Sequence, residues 1–281
     1  MTALAFVLVI ISAFIHSFWN LATKRVSGNL SVMYLGLVFA CVVFSPVAIP
    51  LAFINPPSMR SFLFIMATGS IHAVYFYSLS RAYQHGDISV VYPVARGTGV
   101  AGTALVAAIL LREDISSCGA LGILLVVAGT ILIGFRFKYQ RDHYCAVIFA
   151  LLVGMMIVSY SIVDKLAVSI TDPVVYIYGL FLTTTILVTP VMLSKYQVEI
   201  AEAWKIYRKY SIIIGIGSMI TYLIILYAFR MASVSYIVAA REIAVALGAV
   251  MGFVILKEEI RAMKVIGIAA IVLGLIILKM A

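Results

Sequence analysis

Ten long apolar stretches divide the chain, and they limit the fold more than any other feature. They run over residues 3–22, 31–54, 61–80, 88–111, 117–135, 144–163, 173–194, 211–229, 234–256 and 263–280. A helix crosses the roughly 30 Å hydrocarbon core with about 20 apolar residues. Backbone N–H and C=O groups find no water there, so each span must be a helix or a strand of a closed barrel. The runs show no two-residue alternation, which excludes the barrel. Composition agrees: 64% of residues are apolar and 11% charged, against roughly 45–50% and about 25% in soluble domains. We therefore expect an all-α integral membrane protein of ten transmembrane helices.

The formal net charge is +9, but the basic residues are dispersed through the connections, where anionic headgroups account for them without a nucleic-acid partner. Cys41, Cys118 and Cys145 lie inside or at the ends of apolar runs without CxxC spacing, so they indicate neither a disulfide framework nor a metal site. MTALAFVLVIISAF has no basic region before it and reads as a retained first span rather than a cleaved signal. The longest polar connections are RFKYQRDH (136–143) and KYQVEIAEAWKIYRKY (195–210). In the second, Val198, Ile200, Ala203, Trp204 and Tyr207 recur at near-helical spacing, which predicts an interfacial amphipathic helix.

The chain repeats itself. LVAAILLRE (105–113) matches VMGFVILKE (250–258), aligning Glu113 with Glu258, and the same offset aligns Arg96 with Arg241. AYQHGDISVVY (82–92) resembles AFRMASVSYIV (228–238), and SFWNLATKR (17–25) weakly echoes SYSIVDKLA (159–167). This predicts two five-helix repeats, residues 1–135 and 144–281. Because five is odd, the second repeat enters the membrane from the opposite face. The halves are then inverted about an axis in the membrane plane, with a central cavity between them, an architecture typical of secondary transporters.

HGDISVVYPVARGTG, LLREDIS and the Gly-rich span that follows resemble the EamA-type branch of the drug/metabolite transporter superfamily. The paired LLRE and LKEE ends, with AGTILIGF and IVLGLIILK after them, extend the resemblance over nearly the whole chain. It implies ten helices in two inverted repeats, cytoplasmic termini, and transport of amino acids, other metabolites or drugs. YIVAAREIAV lacks the proline that often marks the matching helix, so a symmetric helix break is not implied there. A vaguer similarity is to permease-like proteins associated with phosphonate utilisation. Lysines and arginines instead cluster near the odd-numbered connections, which by the positive-inside rule would put both termini outside. The family topology is the one carried forward.

An ionisable side chain inside a span costs at least about 2.5–3.5 kcal/mol on insertion scales, so it is expected to face a cavity or a partner. Arg96 and Arg241 each lie roughly 10–12 Å into their spans. Entering from opposite faces, they would straddle the midplane and suit one anionic or zwitterionic ligand, since guanidinium forks bind carboxylate and phosphate bidentately. The competing reading is a structural ion pair. Glu242 points about 100° away from Arg241, which makes it a poor partner for that residue and a candidate partner for Arg96. Pro93 frees a carbonyl near residue 89 and is expected to kink its span toward the cavity. Gly97, Gly99 and Gly102 lie on a helix, so they mark close helix packing rather than a phosphate loop. His16, Trp19 and Asn20 share one face, His72 and Tyr75 another, and Tyr160 and Asp164 a third; together with Tyr92 they are expected to line the substrate site. Glu242 and Asp164 are the candidates for ion or proton coupling, with His16 and His72 as further titratable groups.

No GxxxxGK, HExxH or nucleophile elbow occurs, so neither ATP hydrolysis nor another catalytic role is expected, nor any cofactor. The leading expectation is a non-ATP transporter of a small polar metabolite bearing a carboxylate, phosphate or phosphonate, multi-pass in a bacterial inner membrane, as monomer or homodimer. The alternative is an exporter of bulky aromatic or cationic compounds, which the tyrosines favour and the arginines oppose. A membrane enzyme lacks a catalytic cluster, and a purely structural subunit leaves the intramembrane charges unexplained.

Overall fold

The computed structural model describes residues 1–26, 29–85, 88–134, 144–255, 257 and 261–281. The connection 136–143 and Glu258 lie outside them. The first half supplies α1 (Ala3–Arg25), α2 (Leu30–Ile54), α3 (Met59–His85), α4 (Ile88–Leu110) and α5 (Ser117–Gly134). The second supplies α6 (Tyr144–Ala167), α7 (Pro173–Lys195), α8 (Gln197–Met231), α9 (Val234–Ala240), α10 (Ile243–Ile255) and α11 (Ala262–Met280). The ninth span is divided between α9 and α10, so among the described residues eleven helices make the ten membrane spans the sequence predicts. Local chemistry sets several ends. Asn29 accepts from the amides of Ser31 (2.9 Å) and Val32 (3.2 Å) to start α2. Asp172 does the same for Val174 and Val175, with Pro173 in the first turn of α7, where its missing N–H is no loss.

Helix neighbours obey the inversion. Exchanging α1, α2, α3, α4 and α5 with α6, α7, α8, α9–α10 and α11 turns one set of main contacts into the other. Thus α1–α8 becomes α6–α3, α2–α8 becomes α7–α3, α4–α6 becomes the α10–α1 contact, and α5–α11 and α2–α7 map onto themselves. The α5–α11 seam shows it at atomic scale. A methyl on Gly129 would lie 2.6 Å from the Gly267 carbonyl oxygen, and one on Gly274 2.7 Å from the Gly122 oxygen. Gly122 and Gly267, and Gly129 and Gly274, are repeat equivalents, so a single two-fold relation generates both contacts. Large apolar side chains such as Phe18, Phe53, Leu105, Leu124 and Ile186 are exposed on the outside, where acyl chains rather than water would meet them.

Three expectations change. Residues 197–210 do not form a separate interfacial helix: they are the first turns of α8, whose 35 residues reach about 50 Å, well past the hydrocarbon. Ala203 and Tyr207 of that extension, with Ile214 just beyond it, pack with Ala22, Val26 and Val32 at the end of α1 and start of α2, so one face is protein-covered rather than lipid-bound. Next, the Pro93 ring packs on Gly134 at the end of α5 rather than facing a cavity, within a continuous α4. A break in the helix falls in the other half, between Ala240 and Ile243, where no proline stands. Of the three α4 glycines, Gly99 and Gly102 press against Ile157 and Val158 of α6 as packing positions, whereas Gly97 has ordinary room.

Candidate functional site

The break in the ninth span is where the intramembrane charges meet. There the hydrogen bonds shorten from i−4 to i−3: the Glu242 amide donates to the Ala239 carbonyl (3.0 Å), Ala244 to Arg241 (3.0 Å) and Val245 to Glu242 (2.9 Å). A three-residue turn rotates neighbouring side chains about 120° apart instead of about 100°. Arg241 and Glu242 accordingly leave the helix in different directions.

Glu242 faces α4. Arg96 Nε donates to Oε2 at 3.2 Å, and Nη2 lies 2.5 Å from Oε1, so the guanidinium fork takes both carboxylate oxygens. Glu242 is 1% exposed and the Arg96 side chain 15%. The sequence reading of Glu242 as a partner for Arg96 holds, and Arg96 thus forms an inter-repeat ion pair.

Arg241 faces α8. Its guanidinium lies 5.2 Å from the ring centroid of Tyr222, and no carboxylate lies within ion-pair distance of it among the described residues. The Tyr222 hydroxyl reaches the other way and donates to Asp164 Oδ2. Asp164, on α6, is fully buried. Its Oδ1 also accepts from Thr68 Oγ1 (2.7 Å) on α3 and the Tyr176 hydroxyl (2.6 Å) on α7. Three hydroxyls from three helices therefore satisfy this carboxylate without a cation, since hydroxyls are good donors to an ionised acceptor.

An aromatic group completes the wall. His72 stacks on Tyr160 with centroids 4.5 Å apart and lies 6.4 Å from Tyr75, while Tyr75 meets Tyr160 edge-on at 6.3 Å. The His72 Nδ1 is 2.9 Å from the Thr68 carbonyl oxygen, so it carries the proton there and donates. Tyr92 is half-buried one turn before Arg96. His16 contacts Trp19 edge-on at 4.7 Å. The Trp19 side chain packs over Gly217 of α8, and its buried indole N–H has no hydrogen-bond partner among the described residues.

Two narrow crevices open onto this constellation. One, too tight for a water molecule, lies among α4, α6 and the break and is lined by Arg96, Val100, Ile157, Tyr160, Val238, Arg241 and Glu242. The other, with room for about one water molecule at most, lies among α1, α4 and α10 and is lined by Ser12, Ala13, His16, Arg96, Arg241 and Ala244. Arg96 and Arg241 line both. The exchange of repeats maps α6 onto α1 and α4 onto the broken span, so the crevices are approximate repeat mates flanking the arginine pair. The predicted residues Arg96, Arg241, Glu242, Tyr160 and His16 are brought together there. His72, Tyr75, Tyr92, Trp19 and Asp164 stand outside the crevice linings, and Asn20 lines neither.

Sequence reasoning missed Thr68, Tyr176 and Tyr222, the three donors to Asp164. Each is a lone polar residue in an apolar run, and only tertiary packing shows where its hydroxyl goes. It also missed what Glu113 does. Its carboxylate accepts from the amides of Val234 (2.6 Å) and Ser235 (3.2 Å) and from Ser235 Oγ (2.6 Å), fastening the start of the broken span to the end of α4. Lys165 and Arg230 exchange helix ends: Lys165 Nζ donates to the carbonyls of Phe229 and Ala232, and Arg230 Nε to that of Val168. Both satisfy terminal carbonyls and stay out of the site.

The EamA-like transporter family model matches residues 3–135 and again residues 145–280. No curated protein matches the chain. Among solved structures, one described only as a crystal structure of a protein shares the fold over 98% of this chain and 97% of its own, with a TM-score of 0.76 at 15% identity. That identity speaks for the fold alone. The family match covers both halves of the chain, on either side of the paired intramembrane charges. The chain belongs to the EamA-like transporter family and is a multi-pass membrane transporter of the drug/metabolite superfamily type.

Proposed function

We propose that the chain is a secondary transporter of a bacterial inner membrane that moves a small polar metabolite bearing a carboxylate, phosphate or phosphonate by alternating access. One observation carries the reading. Arg241, deep in the bundle, has no carboxylate partner among the described residues, yet it lines both central crevices beside the Arg96–Glu242 pair. A guanidinium that lies over an aromatic ring, with no carboxylate in ion-pair distance among the described residues, keeps its hydrogen-bonding fork available to an oxyanion. The two repeat-related crevices suit alternating access: Arg241 borders both, so one cation can meet substrate from either crevice. Tyr160 and Tyr222 supply apolar wall for the rest of the molecule.

Thermal unfolding of the purified protein tests this with L-glutamate, gluconate, methylphosphonate, L-phenylalanine and tetraphenylphosphonium as probes. A ligand at a hundredfold its Kd stabilises by about 2.7 kcal/mol. At least one of the carboxylates or the phosphonate is expected to raise the midpoint, and Arg241→Gln to abolish that rise. Stabilisation by tetraphenylphosphonium alone would sink the oxyanion reading in favour of export of aromatic cations.

A further inference from the structure

We propose that Asp164 is the proton-carrying group of this transporter, so that a substrate of one net negative charge crosses with one proton while a zwitterion crosses with none. The inference rests on the oxyanion reading of Arg241 above and adds the coupling ion to it.

The charges around the crevices balance. Arg96 and Arg241 contribute two positive charges, Glu242 and Asp164 two negative ones. The remaining groups facing Asp164 are Thr68 and His72 from α3, Tyr176 from α7, Tyr222 from α8, Tyr160 on its own helix, and Arg241 beyond the Tyr222 ring. An incoming anion on Arg241 leaves one negative charge in excess in a low-dielectric interior, which is costly. A zwitterion leaves none. The excess is removed if one carboxylate takes up a proton, Asp164–COO⁻ + H⁺ giving Asp164–COOH, with no other bond made or broken.

Geometry selects Asp164 over Glu242. Both Glu242 oxygens sit in the Arg96 fork, so protonating it would strand a buried guanidinium. The partners of Asp164 are all hydroxyls, which can turn from donor to acceptor and leave no charge unpaired. The link to substrate is also in place. Tyr222 bonds Asp164 through its hydroxyl and holds Arg241 on its ring face, so an anion that occupies Arg241 brings its negative charge to the far side of the side chain that binds Asp164. Loading of substrate and loading of the proton then favour each other through one side chain.

Proteoliposomes with trapped pyranine test the idea at a mildly acid pH, where L-glutamate, gluconate and methylphosphonate are mainly monoanions. The wild-type protein is expected to acidify the lumen as a monoanion enters, one proton per anion, and to accumulate it about tenfold for each unit of inward proton gradient. L-Phenylalanine is expected to enter without acidification. In Asp164→Asn the proton-to-anion ratio should fall from one to zero, measured by counterflow of the same monoanion. Monoanion entry without acidification in the wild type, or loss of coupling in His72→Gln but not in Asp164→Asn, overturns the proposal while leaving the oxyanion reading intact. If none of the three monoanions enters, the oxyanion reading itself falls and this inference falls with it.

Discussion

Replacing Arg96 by Gln leaves Glu242 as a buried carboxylate with its two best donors removed. Glu242 is 1% exposed and both oxygens are held by the Arg96 fork. Removing one member of such a pair costs about 3–5 kcal/mol, because the survivor is stranded rather than because the pair was strongly favourable. Each kcal/mol shifts the unfolding midpoint of a domain approaching this size by roughly 2–4 °C, so Arg96→Gln should lower it by about 10 °C. The double variant Arg96→Gln/Glu242→Gln replaces the ion pair with two neutral amides that can bond each other, and should recover most of the loss. The coupling energy of the cycle is then at least about 2 kcal/mol, above the range of exposed ion pairs. Arg241→Gln loses only a cation–π contact, about 2 kcal/mol at most for this argument. Unfolding of the wild type, these three variants and Glu242→Gln in the same detergent, followed by near-UV circular dichroism, gives the comparison. A double variant as unstable as Arg96→Gln, or an Arg241→Gln variant less stable than Arg96→Gln, would refute the assignment of Arg96 to the fold and Arg241 to the ligand.

The native cysteines report orientation: Cys118 and Cys145 are exposed at the starts of successive helices, so they stand at opposite membrane faces. With cytoplasmic termini, an impermeant maleimide on intact cells should label Cys145 and spare Cys118; the reverse pattern would mean the loop charges set the topology. On the α5–α11 seam, Gly129→Ala places a methyl 2.6 Å from the Gly267 oxygen and should cost about 1–3 kcal/mol in unfolding experiments, whereas Gly248→Ala, with nothing within 4 Å, should stabilise by about 0.5–1 kcal/mol. Glu113→Ala removes a charged acceptor from two amides and a hydroxyl at the start of α9 and should destabilise by about 1–2 kcal/mol, with faster hydrogen exchange at Val234 and Ser235 as the local signature.

The membrane itself makes much of this protein readable from its residues. A span must be about 20 apolar residues long, so the helices can be counted. Their odd number per repeat dictates the inversion, and the matched Arg96 and Arg241 mark the middle of it. Charges in such a setting are so costly that each must have a purpose, which is why the crevice-lining Arg96, Arg241, Glu242, Tyr160 and His16 could all be named in advance. What could not be read is direction. Pro93 was the visible irregularity in α4, yet its ring fits against Gly134 within a continuous helix, while a break sits at Arg241–Glu242 with no proline to announce it. The two arginines are equivalent in the repeat, but one is paired and the other faces Tyr222. Asp164 finds its hydroxyls on three helices far apart in the chain, at Thr68, Tyr176 and Tyr222. Periodicity places a side chain on a face of its own helix; which partner waits there depends on how the helices cross, and that is settled by the packing of the whole bundle.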